Sequence, residues 1–202
     1  MGTVSLAKKI YLTTIIIICL LFFALLMIRP PSVHAAVGLV AEYGFNEGLG
    51  TLVSDSSGNN NNGSISGAIW QASGKYGAAL TFDGINDLVT VNDANSLDLT
   101  NGMTLEAWVN PTNSTSYRTV ILKERSTTRL SYAIYGNTKI NRPSGQIASS
   151  TGGTVNGSSQ LPLNTWTHLA VTYNGTSLKL FVNGIETAST ATTGNITTST
   201  TP

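Results

Sequence analysis

Glu106 and Trp108 stand two residues apart in Met103-Thr-Leu-Glu-Ala-Trp-Val109, and Trp166 and His168 repeat that spacing in Trp166-Thr-His-Leu-Ala-Val-Thr-Tyr173. A step of two along an extended strand returns to the same face. Each run therefore presents an indole and an ionisable group on one side. Lys179 and Phe181 do the same in Leu178-Lys-Leu-Phe-Val182. Aromatic rings stack on the apolar C–H face of a sugar, and carboxylate, imidazole, amide or guanidinium groups bond its hydroxyls. Trp108, Trp166, Phe181, Glu106 and His168 are accordingly candidate ligand-binding residues. Asn137, Asn141 and Arg142, in what reads as a loop, add polar donors. The competing reading packs both tryptophans into a core or sheet flank and leaves the loop residues as solvated decoration.

Hydrolysis of a glycosidic bond needs two carboxylates, about 5–9 Å apart, across the scissile bond. On one strand they stand at i and i+2 or i+4. Glu106 has Thr104 and Trp108 as same-face neighbours, so it has no acidic partner there. Asp83 and Asp87 flank Gly84 and Asn86 and read as a turn. His168 has no nearby serine or acid in sequence to suggest a triad. The expectation is a non-catalytic module. Calcium is a separate possibility, because hard cations collect carboxylate, amide and carbonyl oxygens. Asp55 and Asn59, in Asp55-Ser-Ser-Gly-Asn59, together with Asp83, are the candidate ligands of a structural Ca2+ ion. Asx-turns at the same residues are the alternative.

Composition narrows the field further. Charged residues make up 10% of the 202, and the formal net charge is +1. No excess of Lys or Arg exists to neutralise phosphates, which argues against a nucleic-acid partner. The single Cys rules out an intramolecular disulfide or a CxxC site. Lys8 and Lys9 precede a nearly pure apolar run of 19 residues, Ile10–Ile28, which leads into Arg29-Pro-Pro-Ser-Val-His-Ala-Ala36. A basic start, an apolar middle and a small-residue exit describe a secretory signal, with cleavage expected after Ala35. Kept as an uncleaved anchor helix, the same run approaches the roughly 20 residues that span a bilayer. Both readings export the remainder to the outside or the cell surface, and membrane contact arises only through this segment. Removing residues 1–35 takes away Cys19, Lys8, Lys9, Arg29 and His34. The remaining 36–202 then holds 8 basic and 10 acidic residues, a formal charge of −2, with His168 as its one histidine. Cysteine nucleophiles and His-rich zinc sites are excluded there.

The elements that must position these groups are strands. After Ala36 no apolar period of 3.6 is sustained, while alternation with period two recurs between turn residues. Trp166–Tyr173, Leu178–Val182 and a strand from Ile185 form a meander, with Asn174-Gly175 and Asn183-Gly184 as tight turns. Alternation puts Leu169, Val171, Tyr173, Leu178, Leu180 and Val182 on the core side. Leu39–Phe45, Ala79–Asp83, Leu88–Val91, Met103–Asn110, Thr119–Lys123 and Arg129–Tyr135 are the other expected strands. Residues 144–160 read as a long surface loop around a weak strand.

Five motifs occur in order. They are Gly38-Leu-Val-Ala-Glu-Tyr-Gly-Phe-Asn-Glu-Gly48, Asp55-Ser-Ser-Gly-Asn59, Gly74-Lys-Tyr-Gly-Ala-Ala-Leu-Thr-Phe-Asp-Gly84, Met103-Thr-Leu-Glu-Ala-Trp-Val-Asn-Pro111 and the meander Trp166–Gly184. In these residues the chain resembles a bacterial laminin-G-like domain of the concanavalin A-like lectin/glucanase superfamily. The resemblance implies an all-β jelly-roll sandwich of two curved antiparallel sheets over 36–202. It also implies a structural calcium in many relatives and polysaccharide hydrolysis in some. Members continue past the meander with a leucine-basic-isoleucine-glycine-glycine strand and a closing strand containing isoleucine-aspartate-glutamate. This chain ends at Thr200-Thr201-Pro202, so the resemblance implies a domain incomplete at its C-terminus, with exposed strand edges and poor solubility of 36–202 by itself. The expected function is an exported non-catalytic carbohydrate-binding or adhesion module of a larger surface or secreted protein. Its partners would be polysaccharides or glycoprotein glycans. A structural or protein-interaction spacer, or an ancillary fragment of a polysaccharide-degrading enzyme, is the alternative.

Overall fold

A computed structural model describes residues 38–126 and 129–202. The export segment expected at 1–35 lies outside the described residues. The strands are β1 (Leu52–Val53), β2 (Gly63–Ser66), β3 (Ile69–Gln71), β4 (Ala79–Thr81), β5 (Leu88–Val91), β6 (Met103–Val109), β7 (Arg118–Ser126), β8 (Arg129–Asn137), β9 (Ser144–Ile147), β10 (Gly153–Asn156), β11 (Thr167–Tyr173), β12 (Ser177–Val182) and β13 (Ile185–Ala191). Two four-stranded antiparallel sheets form the body. The front sheet has the order β10-β9-β8-β7 and the back sheet the order β13-β12-β11-β6. A smaller sheet β1-β2-β5 and the β3–β4 hairpin complete the described fold. The architecture is an all-β jelly-roll sandwich.

The core lies between front and back sheets. Met103 and Leu105 of β6, Leu169, Val171 and Tyr173 of β11, and Leu178 and Leu180 of β12 pack against Tyr132, Ile134, Ile147 and Val155 of the front sheet. These include five of the six inward positions that alternation selected, and Val182 packs partly buried at their margin. Each fully buried aliphatic side chain of this kind contributes about 1.5–3 kcal/mol of transfer free energy. Gly145 sets the spacing of the sheets, because a Cβ there would lie 2.6 Å from a Val171 methyl. Only hydrogen fits.

The meander forms with two different turns. Asn183 and Gly184 both take positive φ, 51° and 78°, the mirror-image geometry that a two-residue hairpin prefers. At Asn174-Gly175 only the glycine does, with φ 89°. Asn174 acts through its side chain instead, and its Oδ1 accepts the N–H groups of Thr176 and Ser177 at 3.1 and 2.9 Å.

Two sequence expectations need correction. Residues 144–160 contain two paired strands, β9 and β10, where a loop around one weak strand was expected. Small residues hid them, since Gly145 and Gly153 pack where bulk is impossible. Leu39–Phe45 belongs to no strand. Side chains tie down its backbone: the Val40 carbonyl accepts from Asn61 Nδ2 at 2.7 Å, and Glu42 N–H donates to Asp55 Oδ1 at 2.9 Å.

Candidate functional site

The outer face of the back sheet gathers several of the residues selected from sequence. Trp108 on β6 stands opposite His168 on β11, Glu106 stands opposite Ala170, and Ala170 stands opposite Phe181 on β12. All therefore share one side of the sheet. The Trp108 and His168 ring centroids are 5.3 Å apart, and His168 Nε2 lies 3.6 Å from Glu106 Oε2. Lys179 continues the face and pairs with Glu186 at 2.8 Å. The loop between β3 and β4 covers the indole. Tyr76 meets Trp108 edge-on at 5.6 Å, and Lys75 Nζ sits 4.7 Å from the ring centroid. Trp108 is 37% exposed and Tyr76 is 69% exposed. An ammonium over the indole is a favourable cation–π contact. A sugar stacking on that side of the ring must first displace Lys75.

The outer face of the front sheet has the opposite form. Leu122, Ala133, Gln146 and Thr154 stand in register across β7, β8, β9 and β10. Ala133 is fully buried although it faces outward, and its outward neighbours Ser131 and Ser144 are also buried. Taller neighbours close over these small side chains. A groove of about 560 Å3 lies here, lined among others by Leu122, Tyr135, Gln146 and Thr154, with Glu124, Arg125 and Arg129 at the β7–β8 hairpin end. Tyr135 packs edge-to-face on Tyr117, with centroids 5.4 Å apart. Burial, and then the neighbouring Tyr117, raise the Tyr135 pKa. The groove thus combines an apolar floor with an aromatic wall, amide and hydroxyl groups, and guanidinium groups.

Sequence reasoning did not single out Leu122, Tyr135, Gln146 or Thr154. One signal was available: alternation along Arg129–Tyr135 puts Arg129, Ser131, Ala133 and Tyr135 on one face. Gln146 and Thr154 had none, since they fall in the stretch read as a loop.

The remaining candidates go elsewhere. Trp166 is half-buried and precedes the first residue of β11. Asn137 is the last residue of β8, not a loop residue, and is only 2% exposed. Its amide donates to the carbonyls of Ser114 and Ser116 at 2.6 and 2.7 Å, which pins the loop before β7. Arg142 and Asn141 are exposed beyond β8.

Asp55 and Asn59 form a structural knot. Asp55 Oδ1 accepts from the N–H groups of Glu42 and Ser57, and Oδ2 accepts from Ser57 Oγ and the N–H of Asn61, all at 2.8–2.9 Å. Four donors fill the four lone-pair positions of a carboxylate. Burial pushes the Asp55 pKa up, but hydrogen bonds from Glu42, Ser57 and Asn61 outweigh it and hold the carboxyl below its usual range. Asp83 makes a separate turn, accepting from the Ile85 N–H at 2.8 Å. Among the described residues no three His, Cys, Asp or Glu side chains gather into a metal-holding group. The donor set Asp55, Asn59 and Asp83 does not fit a calcium ion as folded.

A family model described as the concanavalin A-like lectin/glucanases superfamily, Laminin_G_3, matches residues 83–202, more than half of the chain. The chain belongs to this family. The matched span of the Laminin_G_3 domain contains both four-stranded sheets, and hence the groove, while the Asp55 knot and Tyr76 precede it. Among solved structures, the chain is similar to domain 4 of AbnA, a GH43 extracellular arabinanase from Geobacillus stearothermophilus, determined in complex with arabinotriose. The identity is 22%, the TM-score 0.60, and the match covers 72% of each chain. At that identity the likeness concerns the fold. A second similar structure is an S-layer domain-containing protein (residues 221–444) from Clostridium thermocellum ATCC 27405. It has 21% identity and a TM-score of 0.48, over 74% of this chain and 71% of the other. No curated protein matches the chain.

Proposed function

We propose that the chain is an exported, non-catalytic carbohydrate-binding or adhesion module of a surface or secreted protein, and that the front-sheet groove holds the glycan. The observation that carries this reading is the front-sheet groove, where the row of Leu122, Gln146 and Thr154 lines one opening together with Tyr135. A sugar ring needs an apolar floor and convergent polar groups, and this row with Tyr135 supplies both. Family membership supports a carbohydrate-related role, and the arabinotriose bound to the AbnA domain is a precedent for a sugar on a related fold. The groove lining holds one carboxylate, Glu124, where glycosidic hydrolysis uses two, which supports binding without cleavage. Export rests on the charge and apolar pattern of residues 1–35. Calcium has no part in this reading, given the saturated Asp55 carboxylate.

The experiment is affinity electrophoresis of the full chain in gels containing plant and bacterial polysaccharides, with Gln146→Ala as the control. Retardation by at least one polysaccharide, lost in the variant, is the expected result. Equal mobility in every gel overturns the proposal.

A second reading assigns the back-sheet face to contacts with another protein, the chain then serving as an interaction or spacer domain. It is favoured by Trp108, Tyr76 and Phe181, which leave aromatic surface on that face. A sugar site on Trp108, Glu106 and His168 is instead the carbohydrate-binding reading placed on the other sheet. Glycan binding abolished by Trp108→Ala would support that version.

A further inference from the structure

The charges of the groove are confined to one end. Glu124, Arg125 and Arg129 lie where the β7–β8 hairpin closes, and Ser126 stands opposite Arg129 in the register. Leu122, Tyr135, Gln146 and Thr154, which line the rest, are neutral. The adjacent Lys123 does not contribute, because it is buried and paired with Asp93. Among the described residues no carboxylate forms an ion pair with Arg125 or Arg129. This end therefore brings two guanidinium groups beside the one side-chain carboxylate of Glu124, whose N–H donates to the Pro202 carboxyl group at 3.2 Å. Guanidinium is the planar fork that grips a carboxylate through two parallel hydrogen bonds.

Resting on the carbohydrate reading above, we propose that the groove selects an acidic glycan, one whose sugar units carry carboxylates, as in a uronic acid. The carboxylate would lie at Arg125 and Arg129, while neighbouring rings extend past Leu122 and Gln146 towards Tyr135. The Gln146 amide and the Thr154 hydroxyl would bond ring hydroxyls along the way. A neutral glycan would leave two guanidinium groups without an anion. A fully anionic, non-carbohydrate ligand would leave the neutral part of the lining unused.

The test is isothermal titration of the full chain with hexasaccharides of galacturonate, mannuronate, guluronate and alternating glucuronate, each beside its methyl ester, plus a neutral arabinan hexasaccharide. At least one uronate should bind about tenfold more tightly than its ester. Arg125→Gln and Arg129→Gln should each remove that preference without abolishing binding to the ester, and added salt should weaken the uronate alone. Equal binding of every acid and its ester, or a preference that survives both substitutions, overturns the acidic selectivity while the carbohydrate reading stands. Absence of binding to every sugar, acidic, esterified or neutral, overturns both. Far-ultraviolet circular dichroism confirms that the variants are folded.

Discussion

On the back sheet an indole and an imidazole meet on the outer face at the β6 edge, and on the front sheet the mid-sheet outward residues are small and buried. Trp108, His168 and Phe181 fill adjacent registers of the first. Ser131, Ala133 and Ser144 occupy the corresponding outward positions of the second, each with almost no exposed surface. The back face carries groups that a chemist would choose for a sugar, but the Lys75–Tyr76 loop lies against its indole. The front face has a modest residue inventory and an open groove of about 560 Å3. A groove desolvates more of a ligand than a flat face does. The two faces share one core, so each can be altered while the other serves as a control.

The most damaging change is to that shared core. Leu180→Ala removes a fully buried side chain and should cost about 3 kcal/mol, read by urea unfolding. Glycan binding and tryptophan fluorescence should then be lost in one transition, and two separate transitions would mean that the faces belong to independent units. Asp55→Ala touches neither face. Loss of the acceptor for three backbone N–H groups should cost about 2 kcal/mol and leave glycan affinity unchanged. Because the folded Asp55 pKa lies below the ordinary 3.8, its contribution is complete above that pH and is lost as the pH falls through the lower, folded value. The stability gap between the variant and the natural chain should therefore narrow below pH 3.8, and a gap that widens in acid would be inconsistent with the knot.

The faces separate most directly by affinity. Gln146→Ala should weaken glycan binding about tenfold, or roughly 1.4 kcal/mol, while Trp108→Ala changes it less than about twofold. The reverse outcome would move the ligand to the back sheet. Trp108→Ala should still lower stability by about 1 kcal/mol, through lost contacts to Tyr76, His168 and Lys75, as measured by thermal unfolding. Lys179→Ala breaks an exposed ion pair with Glu186 and should shift stability by no more than about 0.5 kcal/mol.

Most strand positions were legible because alternation reports burial directly. Leu169, Val171 and Tyr173 face the core because the adjacent polar positions could not. The same rule put Trp108, Glu106 and His168 on one face, and the structure agrees. Legibility failed where small residues carried the pattern. β9 and β10 contain Gly145 and Gly153, whose role is to admit Val171 of the facing sheet and Thr192 just after β13, and no local signal identifies them as strand. Leu39–Phe45 failed for the converse reason. Its alternation is strand-like, yet its carbonyls and N–H groups are bound by Asn59, Asn61 and Asp55. Asn137 looked like a loop donor and is a buried tether, since an amide side chain alone does not reveal whether its partners are water or backbone carbonyls.

Composition and periodicity by themselves determined an all-β chain, an apolar leading segment, the inward residues of the meander and the joint face of Trp108 and His168. These are properties of neighbours along one strand, or of strands joined by a short turn, and two-residue alternation encodes them. The tertiary structure decided that Lys75 and Tyr76 cover the indole, that four donors fill the Asp55 carboxylate, and that Leu122, Tyr135, Gln146 and Thr154 line one groove. Each of these depends on which distant segments meet, and on side-chain heights compared across four strands. A linear pattern records which side a residue faces, while the depth of a site depends on its neighbours across the sheet.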